Sequence, residues 1–310
     1  MAEKKVTLIG CGQVGTIAAL ELAHSSLADL VLYDVVDGLA RGRALDLAQA
    51  ASPVGFECRV TAVDSLAEAL DSDIFVITAG KPRLPGMSRA DLVDANSRII
   101  RDLARATEGA RDDALFVIVT NPLDVMVTLF VKESGRERTR VIGMGGILDS
   151  ARMAYFTSLE AQVPPTAVDA WVLGAHADSM VPCFSLTTID GEASYRVLSH
   201  EQQERIAERT RNGGAEIVAH LKTGSAFIAP GASVALLVTK LLAPDRNPVP
   251  VSVVLEGEYG LSGAALGVPA ELSDRGVVEV VELPLFDSER TALHASFEEV
   301  RSQVKALVER

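Results

Sequence analysis

The chain has 310 residues, of which 48% are hydrophobic and 23% are charged, proportions that indicate a folded globular protein and exclude a disordered or fibrous one. Its formal net charge is −13. A protein that binds nucleic acid or docks on anionic membrane lipids usually carries the opposite sign, so we expect neither partner.

Short apolar stretches alternate with helical patterns in the first half of the chain. The pattern predicts strands at 6–9, 30–33, 73–78 and 115–120, and helices at 13–23 and 88–106. The third and fourth of these strands are nearly continuous apolar runs, which is typical of strands covered on both faces. A β-α-β alternation of this kind predicts an α/β fold built on a Rossmann-type, doubly wound parallel sheet.

The second half of the chain is more mixed. The pattern predicts helices at 148–161, at 201–221 and from 288 onward, and strands at 170–173, 184–189, 249–255 and 276–282. We therefore expect a mixed α+β domain to follow the Rossmann-type domain. The change of rhythm places the boundary at residue 143, which divides the chain into 1–143 and 144–310.

A glycine-rich turn, Gly-Cys-Gly-Gln-Val-Gly at 10–15, joins the first predicted strand to the first predicted helix. Gly10 allows the tight turn, Gly12 lets the backbone approach a pyrophosphate, and Gly15 lets the helix pack closely on the strand. The amides at the start of the helix then face the phosphates. The motif in this context predicts a dinucleotide site.

Asp34 ends the second predicted strand, 19 residues after Gly15. Its carboxylate can accept hydrogen bonds from a ribose 2′-hydroxyl and repels a 2′-phosphate, which favours NAD over NADP. A carboxylate that only caps the strand is the other interpretation.

Four further segments, at 78–89, 119–122, 145–152 and 174–179, occur in an order and spacing that chance would not produce. With the glycine-rich turn, they make the chain resemble the lactate/malate dehydrogenase superfamily over essentially its full length, and within it the lactate-dehydrogenase-like malate dehydrogenase group. The resemblance implies an NAD-dependent oxidoreductase of the tricarboxylic acid cycle that interconverts malate and oxaloacetate by reversible hydride transfer.

The resemblance assigns the acid–base role to His176 and makes Asp149 its partner. An imidazole suits proton exchange because its unperturbed pKa lies near neutrality. Arg152 resembles the residue that binds the C1 carboxylate of the substrate, and a planar guanidinium matches a carboxylate fork as an ammonium group cannot. Because Arg152 follows Asp149 by three residues, we expect both on one helix face. Without the resemblance, a surface ion pair would be the more common interpretation of this spacing.

The resemblance also predicts that residues 81–90 form a loop that closes over the active site. In this loop Arg89 matches the arginine that polarises the reacting carbonyl. Arg83 occupies the position at which malate dehydrogenases have an arginine that pairs with the second carboxylate of the substrate. Lactate dehydrogenases usually have glutamine at this position. Asn121 matches an amide that orients the substrate. An unpaired guanidinium in a closed site is costly, so Arg83 predicts a dicarboxylate substrate and disfavours pyruvate.

The resemblance implies cofactor contacts that all lie in the first half of the chain. They are Gly10, Gly12, Gln13, Val14, Gly15, Asp34, Asn96, Val119 and Asn121. We expect no resident metal.

Ala175 and Ala177 flank His176, where the family commonly has glycine. Alanine does not easily adopt a positive φ. The shape of the pocket beside His176 therefore need not match that of the family.

Other functions stay open at this point. A lactate or other 2-hydroxy acid dehydrogenase would differ in what Arg83 meets. An NAD-dependent glycosidase would need a metal site, and an NAD-sensing module would not need the catalytic set. The resemblance further implies a homodimer or homotetramer.

Two features of the sequence, its apolar runs and its cysteines, bear on the cellular compartment. The apolar stretch near the N-terminus is too short for a signal peptide, and no run reaches the roughly 18 apolar residues of a membrane span. Cys11, Cys58 and Cys183 form no Cys-x-x-Cys motif, so we expect buried free thiols. These features predict a cytoplasmic protein.

Overall fold

The structure is a computed structural model that describes residues 3–81 and 89–308, and for residues 89 and 308 it describes the backbone alone. The helices are α1 (Gln13–Ser25), α2 (Leu39–Gln49), α3 (Ala51–Val54), α4 (Arg89–Ala106), α5 (Leu123–Ser134), α6 (Gly146–Ala161), α7 (Ser194–Val197), α8 (His200–Leu221), α9 (Ile228–Leu242) and α10 (Asp287–Val308). The strands are β1 (Lys4–Ile9), β2 (Ala28–Tyr33), β3 (Val60–Ala62), β4 (Ile74–Ile77), β5 (Leu115–Ile118), β6 (Val141–Gly143), β7 (Val168–Asp169), β8 (Val172–Leu173), β9 (Val181–Pro182), β10 (Thr188–Ile189), β11 (Glu192–Ala193), β12 (Val249–Glu256), β13 (Ser262–Ser273) and β14 (Gly276–Val280).

Nine of these strands form one sheet, in the order β14-β13-β12-β6-β5-β4-β1-β2-β3. Strands β1 to β6 pair in parallel. Their order, 3-2-1-4-5-6, is that of a Rossmann-type sheet, so the predicted doubly wound fold is confirmed. The order reverses between β1 and β4, and this reversal places a ligand crevice at the carboxyl ends of those two strands. Strands β12 to β14 extend the sheet in antiparallel fashion.

The central strands are buried on both faces, as their apolar runs predict. Every residue of β4 and of β5 is buried. Phe75 and Phe116 stack across the two strands with ring centroids 5.1 Å apart, and Phe130 of α5 packs on Phe116 at 4.9 Å. This close aromatic packing holds the ends of β4 and β5, and therefore the crevice, in one geometry.

A second apolar cluster fixes α6 in the other half of the chain. It includes Met153 and Phe156 of α6 and Ile206 of α8. Helix α6 carries two of the predicted site residues, Asp149 and Arg152, so this cluster determines where they lie.

Several elements differ from their predictions. The strand predicted at 184–189 is mostly wrong, because the amides of Leu186 and Thr187 close a turn on the Cys183 carbonyl and only Thr188–Ile189 is extended. Strand β13 was not predicted, since its sequence is rich in glycine, alanine and proline. It forms by pairing with β12 and β14 along its length. Helix α5 was also not predicted, because burial from Leu123 to Phe130 removes the amphipathic period.

The two halves of the chain share the large sheet. Strands β6 and β12 meet through one residue pair, Gly143 with Ser252. The domain boundary at 143 stays a prediction. Within the described residues, no helix has the length and apolar composition that a bilayer span requires.

Candidate active site

The glycine-rich turn follows β1 and opens α1. Gly10 has a φ of 107°, and a Cβ on it would lie 2.7 Å from Oγ1 of Thr78. A Cβ on Gly15 would lie 2.1 Å from the carbonyl oxygen of Gly10. Both contacts are too short for any side chain, so the turn and the close packing of α1 on β1 require glycine at these two positions.

Gly12 has a different environment. A Cβ built on it meets no described atom within 4 Å, so the space above it is open. Gly12 is also the N-cap of α1, and no side chain in the described part of the chain caps that helix. The first amides of α1, at Gln13, Val14 and Gly15, therefore point without an intrahelical acceptor toward this space. This arrangement suits a pyrophosphate.

Asp34 lies directly after β2. Its Oδ2 accepts the amide of Cys11 at 2.7 Å and its Oδ1 accepts the amide of Val36 at 2.9 Å. The carboxylate thus caps the turn and still keeps lone pairs for ribose hydroxyls. The two interpretations of Asp34, cap and ribose acceptor, are compatible in this geometry.

A cavity of about 330 Å³ opens beside Asp34. Its other walls include Tyr33, Asp37 and Arg41. The guanidinium of Arg41 pairs with Asp64 at 2.7 Å on the rim. The cavity, the open space at Gly12 and the amides of α1 together fit the adenosine and pyrophosphate parts of a dinucleotide.

Cys11 lies inside the glycine-rich turn and is buried. Burial, together with the neighbouring Asp34 charge, raises the pKa of its thiol to about 12. A thiol with so high a pKa stays protonated and is a poor nucleophile. Cys58 and Cys183 are also buried and free, as the sequence predicts.

Asn96 and Asn121 form a junction at the carboxyl edge of the sheet. The side-chain Nδ2 of Asn96, on α4, donates to the backbone carbonyl of Asn121 at 2.7 Å, and its Oδ1 accepts the backbone amide of Lys81 at 2.8 Å. These contacts connect the ends of β4 and β5. Asn96 is buried, whereas Asn121 is exposed and follows Val119 after β5. The cofactor contacts assigned to Asn96, Val119 and Asn121 stay predictions.

His176 and Asp149 are brought together from different elements. Nδ1 of His176 lies 2.7 Å from Oδ2 of Asp149, in the first turn of α6. The side chains of His176 and Asp149 are 16% and 2% exposed, so the pair is largely shielded from water. Burial of the ring lowers the pKa of His176, but the charge and hydrogen bond of Asp149 outweigh it, and the pKa is raised above its usual value.

Arg152 lies one turn after Asp149 on α6. Its Nη1 is 3.2 Å from Oδ1 of Asp149, so that carboxylate contacts both His176 and Arg152. The side chain of Arg152 is 15% exposed, which distinguishes this contact from a surface ion pair. Gly213 and Gly214 of α8 pack against it, and a Cβ on Gly214 would lie 3.3 Å from Nη2 of Arg152.

Two arginines on which the substrate assignment depends are not placed. Arg83 lies outside the described residues. Arg89 begins α4, but its side chain is also outside what the structure describes. Their roles remain those implied by the resemblance.

The alanines beside His176 are accommodated without strain. The positive φ in this segment falls on Gly174, at 83°, and Ala177 is not among the described residues with positive φ. The amide of Ala177 donates to the carbonyl of Ala175 at 2.7 Å, and the amide of Ala175 donates to Oγ of Ser296 at 2.9 Å. The segment therefore turns at Gly174, and neither alanine has to adopt a positive φ.

Two residues at the site were not predicted. Asp124 of α5 accepts the backbone amide of His176 at 2.8 Å, and Ser252 of β12 donates to Asp124 at 2.6 Å. The signal for Asp124 was present in the sequence. It is a charged residue in an apolar run, Leu-Asp-Val-Met-Val, which follows Asn121 and Pro122.

A dinucleotide crevice on a doubly wound sheet, next to a shielded His–Asp pair and an arginine that can bind a carboxylate, defines a nicotinamide-dependent oxidoreductase. The chain belongs to the lactate/malate dehydrogenase family. The family's NAD binding domain matches residues 4–143, and its alpha/beta C-terminal domain matches residues 147–310. The predicted family and the predicted cofactor, NAD, are confirmed.

Individual relatives agree with this membership. The chain is 43% identical to the malate dehydrogenase of a Nostoc species over 97% of this chain and 93% of the relative, and 43% identical to that of Thermomicrobium roseum over 98% of each. The solved malate dehydrogenase of Cryptosporidium parvum superposes with a TM-score of 0.95 at 35% identity over 100% of both chains. A lactate dehydrogenase of the same organism, solved with lactic acid and nicotinamide adenine dinucleotide, has a TM-score of 0.94 at 33% identity over 100% of this chain and 99% of the other.

Proposed function

We propose that the protein catalyses the reversible, NAD-dependent oxidation of malate to oxaloacetate. The observation that carries this proposal is the Asp149 carboxylate, which contacts the ring of His176 and the guanidinium of Arg152 at once. A proton-exchanging group and a carboxylate-binding group are thereby held side by side. The curated relatives named malate dehydrogenase support the choice of substrate.

The orientation of His176 supports Nε2 as the ring atom that exchanges the proton. Nδ1 faces Asp149, so Nε2 is left to face the substrate oxygen. In oxaloacetate reduction the protonated ring donates a proton from Nε2 to the carbonyl oxygen, and in malate oxidation the neutral ring accepts it. Asp149 stabilises the imidazolium and fixes the ring orientation. Bound NADH supplies the hydride.

Arg152 binds the C1 carboxylate of the substrate through the two parallel hydrogen bonds that a guanidinium offers. Its contact with Asp149 holds the fork at a constant distance from His176. The substrate carbon to be reduced is next to that carboxylate, so the position of Arg152 sets the position of the reacting carbonyl.

Arg83 distinguishes a dicarboxylate from pyruvate. Its guanidinium pairs with the second carboxylate of oxaloacetate, and Arg89 polarises the reacting carbonyl. Pyruvate presents a methyl group to Arg83 and leaves that charge unpaired. The alternative, a lactate dehydrogenase, usually carries glutamine at this position.

The proposed cofactor-binding and catalytic residues divide the chain into two domains. We assign residues 1–143 to cofactor binding, because all the proposed cofactor residues precede residue 122, and residues 144–310 to catalysis.

We also propose that the protein forms a homodimer or homotetramer. Exposed apolar side chains on α6 and α8, among them Tyr155, Leu159 and Leu221, support this proposal. The three buried free thiols support a reducing compartment, the cytoplasm.

The test is NADH oxidation with oxaloacetate, pyruvate and 2-oxoglutarate measured side by side. We expect oxaloacetate to have the highest kcat/KM. A higher value for pyruvate would identify a lactate dehydrogenase. Binding of NADH without turnover of any of the three acids would identify a non-catalytic module.

A further inference from the structure

Asp124 is a buried carboxylate to which the proposed mechanism assigns no role. It is the second residue of α5 and is 4% exposed. Its sequence neighbours Leu123, Val125 and Met126 are buried and apolar. A carboxylate in such surroundings is unfavourable by several kcal/mol unless its oxygens are hydrogen-bonded.

Both oxygens of Asp124 are satisfied, and each by a different part of the fold. Oδ2 accepts the backbone amide of His176 at 2.8 Å, and Oδ1 accepts the hydroxyl of Ser252 at 2.6 Å. The amide can only donate, and the first turn of α5 adds the positive end of the helix dipole. These groups favour an anion at this position.

His176 is therefore held between two carboxylates. Asp149 contacts its ring and Asp124 contacts its backbone. We propose that Asp124 is a positioning residue for the proton transfer, which holds the main chain of His176 in place and, as an anion, favours the protonated ring.

Charged groups from each neighbouring element act on His176. Helix α6 contributes Asp149 and Arg152, α5 contributes Asp124, and Asp178 is an exposed residue of the same loop. Strand β12 contributes the neutral Ser252, through Asp124. The Asp124 charge raises the pKa of His176 and the Arg152 charge lowers it. Burial raises the pKa of Asp124 above its usual value, and the hydrogen bonds from Ser252 and the His176 amide, with the charge of the His176 ring, offset that effect only in part. The anion therefore depends on these partners.

Asp124→Asn removes the charge and retains the shape. The amide oxygen can still accept from His176, and the NH₂ group can donate to Ser252. We expect the titration midpoint of the His176 ring, followed by NMR without substrate, to fall by about half a pH unit or more. Since the inference rests on the proposed function, we also expect kcat for oxaloacetate reduction near neutral pH to fall about tenfold, with the KM for NADH unchanged.

Glu289→Gln is the matched control. Glu289 is also a buried carboxylate, and it accepts the amides of Ser185 and Phe286 at 3.1 and 3.0 Å. We expect this variant to lose stability without any movement of the His176 midpoint. An Asp124→Asn variant that is only less stable, with the wild-type midpoint, would show that Asp124 is structural.

Ser252→Ala covers the case in which Asp124→Asn does not fold. Loss of the hydroxyl disfavours the Asp124 anion, so the His176 midpoint should move in the same direction by a smaller amount. An unchanged midpoint in this variant would overturn the inference. Because the NMR titration needs no turnover, it gives an answer even if no 2-oxo acid is reduced, which is the result that would instead overturn the proposed function.

Discussion

Gly214 of α8 lies directly against the guanidinium of Arg152, and a methyl group on it would be 3.3 Å from Nη2. Two consecutive glycines in the middle of a 22-residue helix are unfavourable by about 1 kcal/mol each relative to alanine. The close approach to Arg152 accounts for Gly214, whereas a Cβ on Gly213 would lie 3.3 Å from Cε2 of Phe156 and 3.4 Å from Cδ of Arg152. The glycines lower the helix propensity of α8 and leave room beneath it for Arg152, the proposed substrate anchor.

Gly214→Ala should therefore separate stability from substrate binding. Alanine favours the helix, so we expect the free energy of unfolding to rise or hold. The added methyl group displaces Arg152 by a few tenths of an ångström, so the KM for oxaloacetate should rise about three- to tenfold. Thermal unfolding and steady-state kinetics measure the two effects.

Gly42→Ala is the control for this variant. Gly42 lies in α2, and a Cβ on it meets no described atom within 4 Å. We expect the same gain in helix stability with the KM for oxaloacetate unchanged. Equal KM values for both variants would show that α8 does not constrain Arg152.

His176→Asn tests the assignment of the proton donor. The asparagine cannot exchange a proton at neutral pH, so we expect kcat to fall at least about 10²-fold. NADH binding, measured by fluorescence titration, should be nearly unchanged because the glycine-rich turn is not altered. If more than half of the activity remained, the proton donor would have to be another group.

Because the pKa of His176 is raised in the folded protein, the contribution of this residue to the free energy of unfolding should depend on pH. The ring binds its proton more tightly in the folded than in the unfolded protein, where the pKa is about 6.5. Its stabilising contribution is complete below that pH and is lost as the pH rises through the higher, folded-state value. The difference in unfolding free energy between wild type and His176→Asn should accordingly shrink as the pH increases from about 6 to 9. A difference that is constant over this range would contradict the shift.

Asp34 predicts the cofactor preference. We expect kcat/KM for NADH to exceed that for NADPH at least about tenfold, or roughly 1.4 kcal/mol. Asp34→Ser should reduce this ratio, whatever it does to stability through the lost contacts with Cys11 and Val36. Asp37→Ser, which removes the same charge from the same cavity, should change the ratio less. Equal effects would mean that the general negative field, and not Asp34, discriminates between the cofactors.

Arg83→Gln tests the choice of substrate. Deleting one partner of a charge pair in a closed site costs roughly 3–5 kcal/mol, so kcat/KM for oxaloacetate should fall about 10²- to 10³-fold, allowing for partial exposure. Pyruvate has no second carboxylate, and its kcat/KM should rise or hold. The ratio of the two values is the measurement, since general damage lowers both. An unchanged ratio would transfer the selection to another residue.

The parts of this protein that were predictable from its sequence depend on local geometry. Gly15 tolerates no side chain because a Cβ on it would lie 2.1 Å from the carbonyl oxygen of Gly10, five residues earlier in the same turn. Asp149 and Arg152 share a helix face because they are three residues apart. The parallel strands β4 and β5 were predictable because burial on both faces leaves a continuous apolar run. In each case the physical constraint acts over a few neighbouring residues and is therefore visible in their order.

Tertiary structure alone decided what the long-range contacts are. The family resemblance names Asp149 as the partner of His176, but local patterns in the sequence do not connect two residues that are 27 positions apart. Their 2.7 Å contact exists because α6 and the segment after β8 meet at the edge of the sheet. Asp124 reaches the His176 amide across 52 residues, and Ser252 reaches Asp124 across 128. Strand β13, with its glycines, alanines and proline, is extended because β12 and β14 pair with it. Hydrogen bonds and packing between distant segments have no signature in residue order, since each partner is an ordinary buried residue until the fold brings the two together.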